Sequence, residues 1–423
     1  MITQEILKSI IIEGQEILSD ITAIPREAEL EPNARYVFVG IRQSGKSYMQ
    51  YLQAKRLIRE GHSVKEMVFI NFDDERLLNF TVDDFNTILT TYSSMYEYKP
   101  ILFLDEIQNI SGWEHFARRL ANQKYLAYVT GSNAKMLSKD ISTILGSRYL
   151  EQHVFPYSLR EYLFAKGIEV PADWMYGSTR GLVERNLEGY FFWGGFPELN
   201  LFVNKRRWLN DLYEKILLGD IIQRNKIKNE TALRLTIKRL AENIKTPTSF
   251  NRLAGIVKAS GCPITPTSTA DYISHCIDAC MLFPLENWAS KFAERATVRK
   301  HYFIDNGLLN IFLSDSETSL LENLCAATLY KKGISDDNYK PYFYNKEVEI
   351  DFYLPNVKKG IQACYSVKDA DTLDREVRAL TIFHRLYGLE EAEIVTYSEE
   401  TVIESAGLSI KVTPLAKWLL TLG

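Results

Sequence analysis

Gly40 and Gly45 stand five residues apart, and Lys46 and Ser47 follow the second glycine at once. The pattern G-x-x-x-x-G-K-S is preceded by apolar "RYVFVG" and followed by helix-forming "KSYMQYLQAKRLI". A strand, a glycine-rich turn and a helix in that order aim several backbone N–H groups and a helix N-terminus at one anion. The residue types and spacing therefore predict a phosphate-binding loop of Gly40, Ile41, Arg42, Gln43, Ser44, Gly45, Lys46, Ser47 and Tyr48. Lys46 would reach the β- and γ-phosphates of a nucleotide, and the Ser47 hydroxyl would bind Mg²⁺. A tight turn that happens to carry a lysine is the competing reading.

The segment "ILFLDEIQ" decides between them. Four apolar residues drive a central strand that ends in Asp105 and Glu106. One carboxylate can then hold Mg²⁺ through water while the next polarises an attacking water, and phosphoryl transfer needs both tasks done. The following strand, "YLAYVTGSN", ends in Ser132 and Asn133. Asn133 is expected to bind the γ-phosphate or orient the water, with a capping role at a strand-to-helix turn as the alternative. Arg148 in "ILGSRYLEQ" offers charge to a transferring phosphoryl group, or else an ordinary surface ion pair. Asp73 and Asp74, closing "MVFINFDD", either orient water or cap the next helix.

These residues need a scaffold. "RYVFVG", "EMVFINFDD", "PILFLDEIQ" and "YLAYVTGSN" are short apolar runs ending in polar residues, the pattern of a parallel sheet buried on both faces. "YSSMYEYKP" and "GWEHFARRLANQK" supply crossovers. An α/β nucleotide-binding core over 1–154 is expected, then a helical lid or linker over 155–245. "SFNRLAGIVKASG", "PITPTSTADYISHCIDACML", "MLFPLENWA" and "KHYFID" give helix, turn, helix and hairpin, which suggests a winged helix over 246–315. Helix "LLENLCAATLYKKG", strands "KPYFYNK", "VEIDFYLP" and "KGIQACYSV", helix "REVRALTIFHRLYG" and strand "EAEIVTYS" predict a C-terminal α/β domain over 316–423.

At 423 residues the chain is too long for one core. Hydrophobic residues at 46% and charged residues at 25% exclude a disordered or fibrous chain. Charges at Glu5, Lys8, Glu13 and Glu16 make the N-terminus an amphipathic helix rather than a signal peptide, so a cytoplasmic protein without a membrane partner is expected. Five cysteines in apolar or mixed stretches read as reduced thiols, and a zinc site at His275, Cys276 and Cys280 lacks a second ligand pair. The net charge of −4 gives no global drive toward nucleic acid, so any DNA contact must come from local clusters: Lys205 with Arg206 and Arg207, Arg224 with Lys226 and Lys228, Lys238 with Arg239. Each cluster could equally be a solvated helix face.

Taken in order, "GIRQSGKS", "FINFDD", "ILFLDEIQ", "VTGSN", "GSRY…FPYSLREYL", "GGFPEL", "GDIIQRN" and "YFIDNGLL" resemble the prokaryotic AAA-type ATPases that carry a winged-helix region and a C-terminal domain of restriction-endonuclease type. The resemblance runs over nearly the whole chain. It implies ATP and Mg²⁺ as ligands, Gly40, Gly45, Lys46 and Ser47 as their binding residues, and Asp105 and Glu106 as the acidic motif. It also implies Asn133 at the sensor position and Arg148 as the arginine after the sensor helix, although the family usually has Gly-Arg where this chain has Ser147-Arg148. Turnover of ATP is the expected activity, with a DNA-binding switch or an ATP-regulated nuclease as alternatives and DNA, a protein partner or self-assembly as possible partners.

In nucleases of the C-terminal type an acid ends one strand and E-x-K follows on the next, holding a metal and positioning water. Here Asp351 supplies the first acid, but the next strand reads Gln362-Ala363-Cys364, which lacks the second acid and the lysine. Lys368, Glu322 and Glu349 are the candidates to compensate, and Glu349 shares a strand face with Asp351 by the period of two. The expected outcome is a binding or docking domain that does not cut DNA.

Overall fold

Strands of four or five residues with no exposed position are driven by burial alone, and four of them form the first sheet. The computed structural model describes residues 2–133, 136, 139–291, 295 and 297–422. Strands β1 (Tyr36–Val39), β2 (Met67–Asn71), β3 (Ile101–Asp105), β4 (Ala127–Gly131) and β5 (Leu150–His153) lie in the order β2-β3-β4-β1-β5. Every neighbouring pair is parallel. The fold is therefore α/β with a five-stranded parallel sheet of the P-loop nucleotide-hydrolase kind.

Helices cover both faces of this sheet. α1 (Gln4–Asp20), α3 (Phe85–Met95) and α4 (Trp113–Asn122) belong with one apolar layer, where Leu7, Ile11, Ile88 and Leu120 meet Val37, Val68 and Leu104. The other layer gathers Phe38, Phe103 and Tyr128 under Met49, Ala54 and Leu57 of α2 (Lys46–Arg59). A short helix, α5 (Lys139–Leu145), precedes β5. Because all strands run the same way, the carboxyl ends of β1, β3 and β4 open at one edge.

The chain divides into two compact units, one running through Phe155 with Asp278–Cys280 and the other from Pro156 through the remainder. In the second, α6 (Leu159–Ala165), α7 (Thr179–Trp193), α8 (Lys205–Lys215) and α9 (Glu230–Glu242) precede a three-stranded sheet. Its order is β6-β8-β7, from β6 (Thr248–Ser249), β7 (Leu282–Glu286) and β8 (Val298–Phe303), with α10 (Phe250–Ala259) and α11 (Pro266–Asp278) between β6 and β7. After α12 (Asn306–Asn310) and α13 (Glu317–Ser335) comes a six-stranded sheet ordered β13-β14-β12-β11-β10-β9. It comprises β9 (Tyr342–Asn345), β10 (Glu349–Leu354), β11 (Lys359–Ala363), β12 (Glu391–Thr396), β13 (Thr401–Ser405) and β14 (Leu408–Pro414), with α14 (Ala370–Tyr387) and α15 (Leu415–Leu422). β6, β13, β14 and α15 go beyond the elements expected from sequence. No helix among the described residues is long and apolar enough to cross a membrane.

Candidate nucleotide site

Strand β1 ends at Val39, and the chain turns through Gly40–Gly45 into α2. A Cβ at Gly40 would collide with the Val154 carbonyl, because β5 stays hydrogen-bonded to β1 there: the Val154 N–H reaches the Val39 carbonyl at 2.7 Å. Gly45 takes φ 98°, the left-handed region that a glycine adopts without strain, and caps α2 with no side-chain oxygen. Gln43 also sits left-handed, at φ 61°. The Ser44 hydroxyl is buried with no hydrogen-bond partner among the described residues. Arg26 braces the loop from behind, donating to the carbonyls of Ser44 at 3.2 Å and Phe155 at 2.6 Å.

Between the loop on β1 and the acids on β3 lies β4, and its Thr130 joins them. The Ser47 hydroxyl donates to one Asp105 oxygen at 2.8 Å, and the Thr130 hydroxyl donates to the other at 2.6 Å. Thr130 Oγ1 in turn accepts from the Glu106 backbone N–H at 2.8 Å. Glu106 itself adopts φ 50°, which turns its side chain sharply off the strand end. Lys46, only 4% exposed, places Nζ 3.6 Å from Glu106 Oε1 and donates to the Ile41 carbonyl at 3.3 Å. Gln108 donates to the other Glu106 oxygen and to the Ser132 hydroxyl at 3.5 Å.

These contacts split the two acids electrostatically. Burial pushes Asp105 up to about 6, against the opposing pull of the Thr130 hydrogen bond. Burial pushes Glu106 upward too, but the Lys46 ammonium, the Gln108 hydrogen bond and Arg42 outweigh it, leaving Glu106 below the usual carboxylate range. Glu106 thus stays ionised near neutrality, while Asp105 titrates within reach of it.

The structure brings Gly40, Ile41, Arg42, Gln43, Ser44, Gly45, Lys46 and Ser47 together with Asp105 and Glu106. Tyr48 is 43% exposed on the first turn of α2 and packs edge-on against Tyr51, 5.3 Å between centroids. Asn133 is buried just beyond β4. Arg148 is exposed ahead of β5 and donates to the carbonyls of its own turn, Leu145 and Gly146, both at 3.3 Å. Of the two acids after β2, Asp74 accepts from the Arg76 backbone, the capping alternative, and Asp73 accepts from the Asn109 amide. Thr130, Gln108 and Arg26 were not legible as site residues. Thr130 reads as one more strand position until β4 is known to separate β1 from β3.

The residues fit a Mg-nucleotide: a loop without side-chain obstruction at Gly40, a buried ammonium, an unpaired buried hydroxyl at Ser44, and a serine already bonded to the acid expected to share its metal. Among the described residues, three of the eight cations in the basic clusters considered for DNA have a carboxylate within reach. Arg224 lies 3.5 Å from Asp220, and Lys238 and Arg239 both reach Glu242, at 4.0 and 2.6 Å.

Comparison with known proteins places an AAA domain over the segment that carries this site. An AAA domain matches residues 33–163, and a domain of unknown function (DUF8612) matches residues 184–319. An uncharacterized protein of Methanocaldococcus jannaschii is 30% identical over 437 residues, spanning 100% of this chain and 97% of its own. An uncharacterized protein of Haemophilus influenzae is 25% identical over 309 residues, 71% of this chain and 75% of that one. Among solved structures, a Walker-type ATPase of Pyrococcus abyssi is similar at 12% identity with a TM-score of 0.41, covering 74% of this chain and 96% of that chain.

Proposed function

The chain belongs to the same family as the Methanocaldococcus jannaschii protein and carries an AAA domain, and from that premise we propose that it binds and hydrolyses Mg-ATP. One observation carries the reading: a hydrogen-bonded chain from Ser47 through Asp105 and Thr130 to Glu106, with Lys46 beside Glu106. Bound Mg²⁺ would neutralise phosphate charge as it develops. Ser47 and Asp105 are the residues to hold the metal, and Gly40–Tyr48 the segment to cradle the phosphates. Lys46 exchanges Glu106 for phosphate oxygens when the nucleotide enters, which frees the Glu106 carboxylate to accept a proton from water. Gln108, already on Glu106, then sets the direction in which that carboxylate points. Asn133 would bind the γ-phosphate or orient the water, and Arg148, exposed, would act on a nucleotide held by another copy.

We further propose that residues 155–245 form a helical linker, 246–315 a winged helix and 316–423 a nuclease-like docking domain whose positions follow the nucleotide state. The order α10, α11, β7, β8 with the β6-β8-β7 sheet supports the winged-helix reading.

The test is calorimetric and kinetic. Lys46→Ala should weaken Mg-ATP binding by roughly two orders of magnitude, the loss of charge-assisted hydrogen bonds. Glu106→Gln should bind normally and lose about a hundredfold or more in turnover. Unchanged affinity in the first, or wild-type turnover in the second, would sink the assignment.

A further inference from the structure

The resemblance leaves the second acid and the lysine of the C-terminal centre unfilled at Gln362 and Cys364. Within the second unit a lysine and two further acids from elsewhere in the chain gather at Asp351. Lys300, on β8, is fully buried and its Nζ lies 3.1 Å from Glu322 Oε1, 3.4 Å from Glu349 Oε1 and 3.7 Å from Asp351 Oδ1. Glu322 comes from α13, and Glu349 and Asp351 from β10. Lys368, one of the candidates to compensate, stays exposed.

Two of the three acids are further held, while the Glu349 side chain is 53% exposed at the rim. The Tyr302 hydroxyl donates to the same Glu322 oxygen at 2.7 Å. The Ala363 N–H donates to Asp351 Oδ2 at 2.9 Å. Gln362 lies flat against β10, accepting from the Asp351 N–H at 2.8 Å and donating to the Glu349 carbonyl at 3.1 Å, so its amide is spent on the backbone. A cavity of about 520 Å³ opens beside the cluster, lined by Glu322, Glu349, Asp351 and Gln362 with Lys245 and Arg378 also on its wall. Among the described residues no three His, Cys, Asp or Glu are spaced to hold a metal ion as they stand, so Glu322, Glu349 and Asp351 would have to draw inward to bind one. A buried ammonium set among three carboxylates occupies the point at which a divalent cation would have to collect them, and its fixed charge opposes the entry of another.

We propose that Lys300 is the resident cation of this centre: its ammonium occupies the place of a divalent metal, pairs with Glu322, Glu349 and Asp351 without matching their full charge, and ties the β7–β8 hairpin to the six-stranded sheet. Burial favours a neutral Lys300, but Glu322, Asp351 and Glu349 outweigh it and hold the ammonium protonated. The centre is then closed to Mg²⁺ by a covalently supplied charge, and the chain keeps the acids without the hydrolysis.

This inference rests on the docking reading of residues 316–423, and the two fail separately. The experiment is Mn²⁺ binding by nucleotide-free full-length protein, read by calorimetry and by the thermal midpoint with and without Mn²⁺. Wild type should take up no Mn²⁺ at this centre. Lys300→Met, produced in Mn²⁺-supplemented medium, should bind one ion per chain roughly a hundredfold tighter than wild type, because the competing charge is gone. Its thermal midpoint should rise with Mn²⁺. Lys300→Met/Glu322→Gln/Asp351→Asn should fold and bind none, since neutral amides replace two of the charges. Wild-type Mn²⁺ uptake that disappears in Asp351→Asn would overturn the proposal. So would Lys300→Met that refuses Mn²⁺, or that stays unfolded in its presence while the triple variant folds. Metal uptake without DNA cleavage would remove this inference alone, whereas cleavage that requires Asp351 would remove the docking reading.

Discussion

At the scale of single residues, Thr130 does more than its place on a buried strand suggests. It favours the charged form of Asp105 against burial while fixing the Glu106 backbone, so it couples the acid proposed to hold the metal to the one proposed to activate water. Asp105 must be ionised to share a metal, and it titrates near 6. Mg-dependent nucleotide binding should therefore weaken as pH falls through about 6. Thr130→Val removes the hydrogen bond that favours the carboxylate, so the midpoint should move up by about one pH unit, one charge-assisted bond's worth. Comparing the two proteins with the same nucleotide cancels the titration of the phosphates themselves, and coincident pH profiles would take Thr130 out of the account. The sign for stability is opposite to that of a paired surface acid. Between the ordinary aspartate value and about 6 the folded protein keeps a proton the unfolded chain has lost, so Asp105 lowers stability as pH rises across that window. None of this could be read from "AYVTGSN", because hydroxyl-to-carboxylate contacts depend on strand order, which composition and periodicity do not specify. Lys46, Ser47, Asp105 and Glu106 were legible because their spacing and their flanking apolar runs are local.

At the scale of elements, the sequence runs "GGFPEL" and "YFIDNGLL" turn out to be two halves of one joint. Asp305, buried ahead of α12, accepts from the N–H of Gly195 at 2.8 Å and from Gly307 at 2.8 Å. Gly194 and Gly195 are needed there, since a Cβ at the first would meet the Asp305 carboxyl and at the second the Tyr157 carbonyl. Asn306 extends the joint by donating to the carbonyls of Phe191 at 2.8 Å and Leu320 at 3.0 Å, tying α7 to α13. Asp305→Ala strands two buried N–H groups, which should cost about 2–6 kcal/mol and lower the thermal midpoint of the second unit while leaving nucleotide affinity unchanged. A melting curve identical to wild type would show the joint to be dispensable. The run "GDIIQRN" lies largely in a π-helical segment, Ile216–Gln223, that continues α8. Its apolar residues are compatible with ordinary helical periodicity, so the wider winding gave no sequence signal. The strands β13 and β14 were missed for a related reason: β13 lies at a sheet edge and three of its five residues are exposed, which erases the apolar run that marked the others.

At the scale of the whole molecule, the question is what the nucleotide cycle acts on. Among the contacts described, Arg148 is bonded to its own turn's carbonyls, and its proposed role is on a nucleotide held by a neighbouring copy. Arg148→Ala should then lower turnover with little loss of ATP binding, and mixing it with Glu106→Gln protein should restore activity in hybrid sites; an unchanged rate in the single variant would remove Arg148 from the mechanism. DNA is the other candidate, and the charge distribution speaks against it. The second helix of the proposed winged helix, α11, carries Asp271 and Asp278 and neither Lys nor Arg, and a helix meant for a phosphate-lined groove needs cations. Among the described residues, Arg252 and Lys258 on α10 and Lys291 after β7 are the module's exposed cations, while Arg295 is half-buried, Arg299 pairs with Glu286 and Lys300 is buried. Outside the module, Lys238 and Arg239 on α9 reach Glu242 and Arg224 lies near Asp220, while the rest of the basic clusters, Lys205, Arg206, Arg207, Lys226 and Lys228, remain as further cations. Three exposed cations release few counterions, so duplex DNA should bind no tighter than about 10 μM near physiological salt, with a shallow salt dependence, and should leave the ATPase rate within about twofold of its value without DNA. Fluorescence anisotropy of a labelled duplex across a salt series measures the first, and turnover with and without DNA the second. Tight binding that falls steeply with salt and is lost in Arg252→Ala/Lys258→Ala would make the module a DNA reader. The predicted weak binding leaves a protein surface as the object of the cycle, which an acidic helix and a closed, metal-free C-terminal centre both suit.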